Sequence, residues 1–365
     1  MQFDTTHRAR PFIKSRGALS KLKQAIVFSG AALLVLLSGP GEALSATQVP
    51  ASRLALLARG INADNIVNNS RIVTYDATDI AQLQAMGFTY VRIPIDPSYM
   101  LTGVPVDGQK LPSSAARVAQ ALTRLDQAVA TFVQAGLSVT LCIQPQSSVL
   151  ALTYDQSQDI ISRSLDVVAS RYAPQYTPDQ VFFETLNEPH YDTTTWNTFA
   201  PHLVAIIRKS APDHTVIVPP AASDIPTNFQ YLNVLPDQNI VYTMHVYQPV
   251  QISSQGVIVT ALPNYRFPKP VGSTDTTEWT NAKVAVYMNT GISWAAQKQV
   301  PLIMNEFGAT SVADPTSRAN WIKLVRLTAE KNGIGWAWWS FDGRLYGLRP
   351  QAGNFDPVLV QLLSQ

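Results

Sequence analysis

Short apolar stretches alternate with longer amphipathic stretches along the chain from about residue 57 onwards. The short stretches are rich in β-branched and aromatic residues, whereas the longer ones repeat apolar residues at helical spacing. This pattern predicts eight strands, at residues 57–62, 89–95, 138–143, 181–187, 215–219, 239–247, 301–306 and 333–341. It also predicts seven helices, at residues 76–86, 113–135, 156–171, 193–210, 281–299, 316–332 and 357–363.

The ends of several predicted helices carry residues that favour helix termination or capping. Gly87, Gly136 and Gly333 each follow a helical stretch, where glycine accepts the left-handed conformation that ends a helix. Asp76 and Asp314 stand at helix starts, where a carboxylate can accept hydrogen bonds from unpaired N–H groups. The helix boundaries therefore do not depend on the apolar pattern alone.

Eight strands, most of them followed by a helix, indicate a parallel sheet with right-handed crossovers. Eight repeats over about 305 residues favour a closed (β/α)8 TIM barrel over an open, doubly wound sheet. Residues 47–365 contain no Pro/Ser/Gly-rich linker and are predicted to form one catalytic domain. The longest irregular stretch, residues 248–280, follows the sixth strand and is interpreted as a substrate-binding loop.

Residues 1–46 have the composition of an export signal. Six Lys/Arg and only two Asp/Glu lie in this segment, with the bases before an apolar run over residues 25–37. Gly39, Pro40 and Gly41 then precede small residues up to Ala46, which is the order of a secretory signal peptide. An uncleaved N-terminal anchor is the alternative. Both interpretations predict a secreted or periplasmic protein.

Charge and cysteine content exclude several classes of protein. The chain has a net charge of +2, but residues 1–46 carry +4, which leaves 21 Lys+Arg against 23 Asp+Glu in the remainder. This slight negative excess argues against a nucleic-acid partner. A single cysteine, Cys142, excludes an intramolecular disulfide and a cysteine-rich zinc site. We expect no metal, no organic cofactor, no membrane span in the mature chain, and a monomer.

Two predicted strands end on a glutamate. Strand four runs Val-Phe-Phe-Glu-Thr-Leu-Asn187-Glu188-Pro, and strand seven runs Pro-Leu-Ile-Met-Asn-Glu306-Phe-Gly. A strand can end on a solvated charge, but active sites of such barrels lie at the carboxyl ends of strands. Two carboxyl groups facing one another there could cleave a glycosidic bond, one as acid and one as nucleophile or base. Like charges at short range are expected to raise one of the two pKa values.

Other strand ends supply polar and aromatic groups. Arg92 is flanked by apolar residues and is expected to point into the barrel, either toward a functional carboxylate or into a structural ion pair with Glu184. His245 and Tyr247 lie two residues apart and share a face of strand six. Trp336 and Trp338 are expected to point away from Trp339, which could stack on a sugar ring.

In this order along the chain, these motifs resemble glycoside hydrolase family 5, the family of secreted cellulases and related β-glycanases. The similarity runs from about residue 58 to the C-terminus. It is carried by Arg-Gly-Ile-Asn at residues 59–62, Val-Arg92-Ile-Pro, Leu-Asn187-Glu188-Pro, His245-Val-Tyr247, Asn-Glu306-Phe-Gly and the tryptophan-rich segment 336–339.

The resemblance implies a retaining double displacement. It implies Glu188 as the acid/base, and Glu306 as the nucleophile oriented by Arg92 and Tyr247, with carboxyl groups about 5–5.5 Å apart. By the same resemblance, Asn187 binds the sugar 2-hydroxyl, His245 contacts the sugar or the acid/base, and Trp339 forms the stacking platform. The chain departs from the family where Gln144 stands in place of the usual sugar-contacting histidine.

The expected activity is that of an endo-β-1,4-glucanase acting on cellulose-like β-glucans. A β-mannanase or another β-glucanase of the family, and a barrel that binds glycans without cleaving them, are the alternatives. The sequence contains no Gly-x-Ser-x-Gly elbow and no glycine-rich phosphate loop after a strand, so serine hydrolases and nucleotide enzymes are not favoured.

Overall fold

The computed structural model describes residues 49–67, 75–270, 279–350 and 354–364. Within these ranges eight parallel strands pair in chain order, and the last pairs with the first, so the sheet closes. The predicted (β/α)8 TIM barrel is confirmed. The strands are β1 Arg59–Asn62, β2 Tyr90–Ile95, β3 Ser138–Ile143, β4 Val181–Glu184, β5 Val216–Val218, β6 Ile240–Val246, β7 Leu302–Phe307 and β8 Gly335–Trp338.

All seven predicted helices are found among the described residues. The helices are α1 Ala51–Leu56, α2 Ala77–Ala85, α3 Ala115–Gln134, α4 Ser147–Leu150, α5 Tyr154–Tyr172, α6 Thr193–Ser210, α7 Val250–Ser253, α8 Asn281–Lys298, α9 Pro315–Lys331 and α10 Pro357–Ser364. Helices α1, α4 and α7 were not predicted, because four to six residues are too few to show helical periodicity. After β5 the chain forms a 3-10 helix, Pro226–Tyr231, where most strands are followed by an α-helix.

Helix capping follows the sequence prediction. The Asp76 carboxylate accepts a hydrogen bond from the Asp79 N–H, and the Asp79 carboxylate accepts one from the Asp76 N–H, which together form a capping box at α2. Asp314 accepts from the Ser317 N–H at the start of α9. Gly136, directly after α3, has a φ of +78°, which favours glycine over any residue with a Cβ atom.

Two apolar layers hold the barrel. Inward-facing residues fill its lower interior, with Tyr90 crossing so close to Gly60 that a Cβ there would lie 2.3 Å from the tyrosine ring. Outward-facing residues pack under the helices, and Trp336 and Trp338 belong to this layer, both in edge contact with Phe307. The predicted alternation along β8 is therefore confirmed.

Two predictions fall wholly or partly outside the described residues. The signal peptide or anchor at residues 1–46 lies outside them, so the division of the chain at residue 46/47 stays a prediction. The loop 248–280 is described up to residue 270 and from residue 279 and contains α7. Among the described residues, no helix combines the length and the hydropathy needed to cross a bilayer.

Candidate active site

The carboxyl ends of the strands bring together the side chains singled out from the sequence. Arg92 comes from β2, Glu306 from β7 and His245 from β6, while Glu188 follows β4 and Tyr247 follows β6. The parallel barrel places these residues, up to 214 positions apart in sequence, within hydrogen-bonding reach of one another. This is the face on which barrel enzymes of this kind carry their chemistry.

Glu306 is held from two sides. One of its oxygens, Oε1, accepts a hydrogen bond of 2.6 Å from Nη1 of Arg92. The other, Oε2, accepts one of 3.0 Å from the Tyr247 hydroxyl. The residue is 5% exposed, so the carboxylate is oriented by fixed protein donors and has little contact with solvent. Such pre-orientation is what a nucleophile needs.

Arg92 is fully buried and organises the floor of the site. Its guanidinium forms a bidentate pair with Glu184, with two N–O distances of 2.7 Å. It also donates to Oδ1 of Asn62 at 2.9 Å and to Oδ1 of Asn187 at 2.8 Å. Arg92 thus makes both contacts considered from the sequence, the structural pair with Glu184 and the functional contact with Glu306.

Glu188 lies at the edge of the same pocket, and 32% of its side chain is exposed. Its Oε1 is 3.1 Å from Nδ1 of His245. One carboxylate oxygen of Glu188 and one of Glu306 lie within 4.8 Å of each other. Nδ1 of His245 lies 3.1 Å from Oε1 of Glu188 and 3.6 Å from Oε2 of Glu306. The two glutamates therefore share a pocket and differ in setting, since Glu306 is buried and Glu188 faces the opening.

His245 is the second cation of the site, in addition to Arg92. Burial alone would lower its pKa, but the surrounding carboxylates of Glu306, Asp224 and Glu188 raise the pKa of His245 to about 9. Burial likewise tends to raise the pKa of Glu188, yet the hydrogen bond and charge of His245 outweigh burial, and that pKa lies below its ordinary value. The sequence predicted a raised pKa for one of the two glutamates, but the pKa of Glu188 is not raised. The positive charge of the His245 ring offsets the repulsion between the two carboxylates.

The remaining predicted residues lie beyond the carboxyl ends of β3, β4 and β8. Oδ1 of Asn187 faces the Arg92 guanidinium, so its amide nitrogen is the end available to a ligand. Trp339 and Gln144 are half-buried and line one cavity of about 470 Å³ at the mouth of the barrel. Cys142 is fully buried on β3 and burial raises its pKa, so it is not a nucleophile.

Several residues of the site were not found from the sequence. Glu184 was considered only as a partner of Arg92, and it also accepts from Nδ2 of Asn305 at 2.8 Å. Asp224, fully buried after β5, was missed, although an acid following a strand end is the signal that identified both glutamates. Histidine and carboxylates can bind metals, but here both oxygens of Glu306 already accept hydrogen bonds from protein donors.

A comparison with protein families identifies the family of this chain. The family model "Cellulase (glycosyl hydrolase family 5)" matches residues 58–344. The chain belongs to glycosyl hydrolase family 5. The resemblance stated from the motifs is therefore confirmed, and the protein is a member of a glycoside hydrolase family with endoglucanase relatives.

Three relatives show the extent of the similarity. Cellodextrinase A of Ruminococcus flavefaciens is 24% identical over 271 residues, which cover 70% of this chain and 75% of that protein. Endoglucanase 3 of Fibrobacter succinogenes is 28% identical over 211 residues, 48% of this chain and 32% of that protein. The structure of cellulose synthase subunit Z of Clostridioides difficile is 26% identical, with a TM-score of 0.71 over 85% of this chain and all of that one.

The hydroxyl of Tyr247 offers a direct test of how this family 5 site orients Glu306. Replacing Tyr247 by phenylalanine removes one hydrogen bond to a carboxylate, an interaction that contributes about 1.5–3 kcal/mol. We expect kcat/KM to fall about 10- to 100-fold and Tm to fall by a few degrees, because the ring keeps its edge contact with Tyr346 while buried Glu306 loses one donor. A loss below twofold in steady-state assays would contradict the contact's role.

The charge on His245 predicts a pH dependence of stability. A histidine whose pKa is raised from 6.5 to about 9 stabilises the folded state fully below pH 6.5, and this contribution is lost as the pH rises through 9. The difference in unfolding free energy between wild type and His245→Gln should therefore shrink by about 2–3 kcal/mol from pH 6.5 to 9.5. Urea unfolding across this range measures it, and a constant difference would show that His245 is not charged in the fold.

Proposed function

We propose that this protein is a retaining endo-β-1,4-glucanase that cleaves internal bonds of cellulose-like β-glucans, with Glu306 as nucleophile and Glu188 as acid/base. The observation that carries the proposal is the pair of carboxylates with oxygens within 4.8 Å of each other. This short separation leaves no room for a water molecule between the second carboxylate and the anomeric carbon, and so supports retention over inversion, which needs about 6.5–9.5 Å. A glycan-binding protein has no use for such a pair.

In the first step, an oxygen of Glu306 forms a bond to the anomeric carbon while the glycosidic bond breaks. The electron pair of that bond goes to the leaving oxygen, which takes a proton from Glu188. In the free protein His245 holds this proton, 3.1 Å from Oε1 of Glu188, because the pKa of His245 is raised to about 9 and that of Glu188 lies below its ordinary value. A bound sugar excludes water, which disfavours the ion pair and places the proton on Glu188.

In the second step, water attacks the anomeric carbon of the glycosyl-enzyme and releases Glu306 as carboxylate. Glu188, now ionised, accepts the proton of that water and returns to its starting state. Arg92 and Tyr247 hold Glu306 in place in both steps. The protons therefore balance over the cycle, and no cofactor enters it.

The cavity at the carboxyl ends of β1, β2, β3 and β8 supports a carbohydrate substrate. The indole of Trp339 offers an apolar face for a sugar ring, and Gln144, Asn65 and Gln146 offer amide donors and acceptors for hydroxyl groups. Burial raises the pKa values of Asp64 and Asp96, which line the same cavity, to about 6. The wall thus combines an aromatic face with hydrogen-bonding amides and carboxyl groups, which can bind the rings and hydroxyl groups of a sugar chain.

A substrate panel tests the assignment. Carboxymethyl-cellulose, mixed-linkage glucan, xyloglucan and glucomannan should be compared, with Glu188→Gln and Glu306→Gln as controls on each. We expect the highest kcat/KM on the β-1,4-glucans and loss of activity in both variants. A preference for mannan would support the β-mannanase alternative, and slow turnover unchanged by either substitution would leave only a glycan-binding barrel.

Similarity to cellodextrinase A over 70% of the chain supports a second candidate, the cleavage of short cellodextrins. The two candidates differ in how viscosity falls. An endo-acting enzyme lowers the viscosity of carboxymethyl-cellulose well before many reducing ends appear. An enzyme that cleaves short chains releases cellobiose or glucose from cellopentaose but changes the viscosity of carboxymethyl-cellulose little.

We also propose that the protein is exported and acts as a monomer. The basic and apolar composition of residues 1–46 supports export. Cell fractionation and N-terminal sequencing of the mature protein test it, and they separate a cleaved signal from a retained anchor. Light scattering of the purified protein tests the monomer.

A further inference from the structure

Asp224 is a fully buried carboxylate that neither the family motifs nor the proposed mechanism uses. Its Oδ2 lies 3.2 Å from Nε2 of His245, on the opposite side of the ring from Glu188. The same oxygen accepts a hydrogen bond of 3.2 Å from the backbone N–H of Glu188. One carboxylate therefore contacts both members of the acid/base pair.

The backbone around Asp224 is built to hold it there. Ala222, Ser223 and Asp224 have φ values of 54°, 69° and 55°, three successive left-handed residues without a glycine. Each such residue costs about 1 kcal/mol or more, so the turn persists only because its surroundings fix it. Glu188 itself has a φ of 44°. Strain of this kind concentrates at functional sites.

Hydrogen bonds join this turn to both neighbouring strand ends. The Ala222 N–H donates to the Pro189 carbonyl at 2.8 Å, next to Glu188. The His245 N–H donates to the Asp224 carbonyl at 2.9 Å. Asn228 closes the turn by donating to the carbonyls of Ala221 and Ala222. The turn thus ties the end of β4 to the end of β6.

We propose that Asp224 is a positioning residue that fixes the His245 ring and retains the proton that His245 holds next to Glu188. The proposal rests on the acid/base role of Glu188. Because Asp224 lies at Nε2, it holds the ring in the orientation that directs Nδ1–H at Glu188. Glu188 is the residue that gives the leaving group its proton. The titratable and charged groups that face His245 and Glu188 are Glu306 and Tyr247 on the Nδ1 side, Asp224 at Nε2, and, further out, Glu184, Arg92, His190, Tyr287 and Cys142.

The variant Asp224→Asn tests the proposal, because it keeps the size and one oxygen of the side chain but cannot ionise. Ser223→Ala, in the same turn, is the matched control. For phenyl β-cellobioside, whose leaving group needs an acid, we expect the alkaline limb of kcat/KM to move down by at least about one pH unit. For dinitrophenyl β-cellobioside, which leaves without a proton, kcat/KM should change less than threefold.

A second readout does not depend on turnover. The ring of His245, assigned in NMR spectra with His245→Asn, should titrate at least about one pH unit lower in Asp224→Asn than in wild type or Ser223→Ala. The proposal would be overturned if kcat/KM fell equally on both aryl cellobiosides at all pH values. It would also be overturned if neither the titration of His245 nor the alkaline limb of kcat/KM changed. If wild type cleaves neither aryl cellobioside, the β-glucan assignment fails, and the NMR titration still decides the role of Asp224.

Discussion

Glu306→Gln is expected to lower kcat/KM on β-glucan by at least about 10⁴-fold, because loss of one essential member of a catalytic unit commonly removes that much. The amide cannot form the bond to the anomeric carbon. It also keeps the size of the carboxylate, so contacts with Arg92 and Tyr247 are disturbed without leaving a cavity. Steady-state assays with parallel thermal unfolding measure the effect.

The matched control is Asp159→Asn, an exposed carboxylate on α5 that pairs with Arg163 one turn away on the same helix. It should retain activity within a factor of about two, as surface substitutions do. Glu306→Ala with added azide sharpens the test, because azide can attack the open face and should yield an α-glycosyl azide. Residual activity above about 1% in Glu306→Gln, free of contaminating wild type, would contradict a nucleophilic Glu306.

Replacing Arg92 by alanine should destabilise the fold more than other single substitutions in the site. It leaves Glu184 and Glu306 buried without their cation, and removing one partner of a buried ion pair costs about 3–5 kcal/mol. In a domain of this size we expect Tm to fall by about 10 °C. Activity should fall as well, since Glu306 loses one of its two orienting contacts.

Arg163→Ala is the control for that prediction. Arg163 pairs with Asp159 one turn away on the surface of α5, with more than half of each side chain exposed. Such pairs contribute about 0.3–0.5 kcal/mol, so calorimetry should show almost no change in Tm. A fall of less than about 2 °C in Arg92→Ala would show that the buried network does not hold the barrel together.

The barrel could be predicted because its elements are locally encoded. Each strand is a short apolar run that is buried on both faces, and capping residues such as Asp76 and Asp314 mark where helices begin. The ends of β4 and β7 were predictable for the same reason, since a glutamate after an apolar run is visible in the sequence. The prediction that the two glutamates lie close together followed from the rule that the carboxyl ends of the strands meet at one face of the barrel.

The electrostatics of the site could not be predicted in this way. The pKa of Glu188 depends on His245, and that of His245 depends on Asp224, which lies 36 positions after Glu188 in the sequence. Left-handed residues without glycine, such as Ala222, are fixed by tertiary hydrogen bonds and leave no local pattern. The short helices α4 and α7 were missed because four residues are too few to show helical periodicity.

Proton NMR of the first product formed from a β-linked cellooligosaccharide tests most directly whether Glu188 and Glu306 work as an acid/base and a nucleophile. Double displacement at this carboxylate spacing predicts that the new reducing end appears as the β-anomer, which then mutarotates to the equilibrium mixture. Initial appearance of the α-anomer would mean inversion by direct attack of water, and would contradict the assignment of Glu306 as a nucleophile.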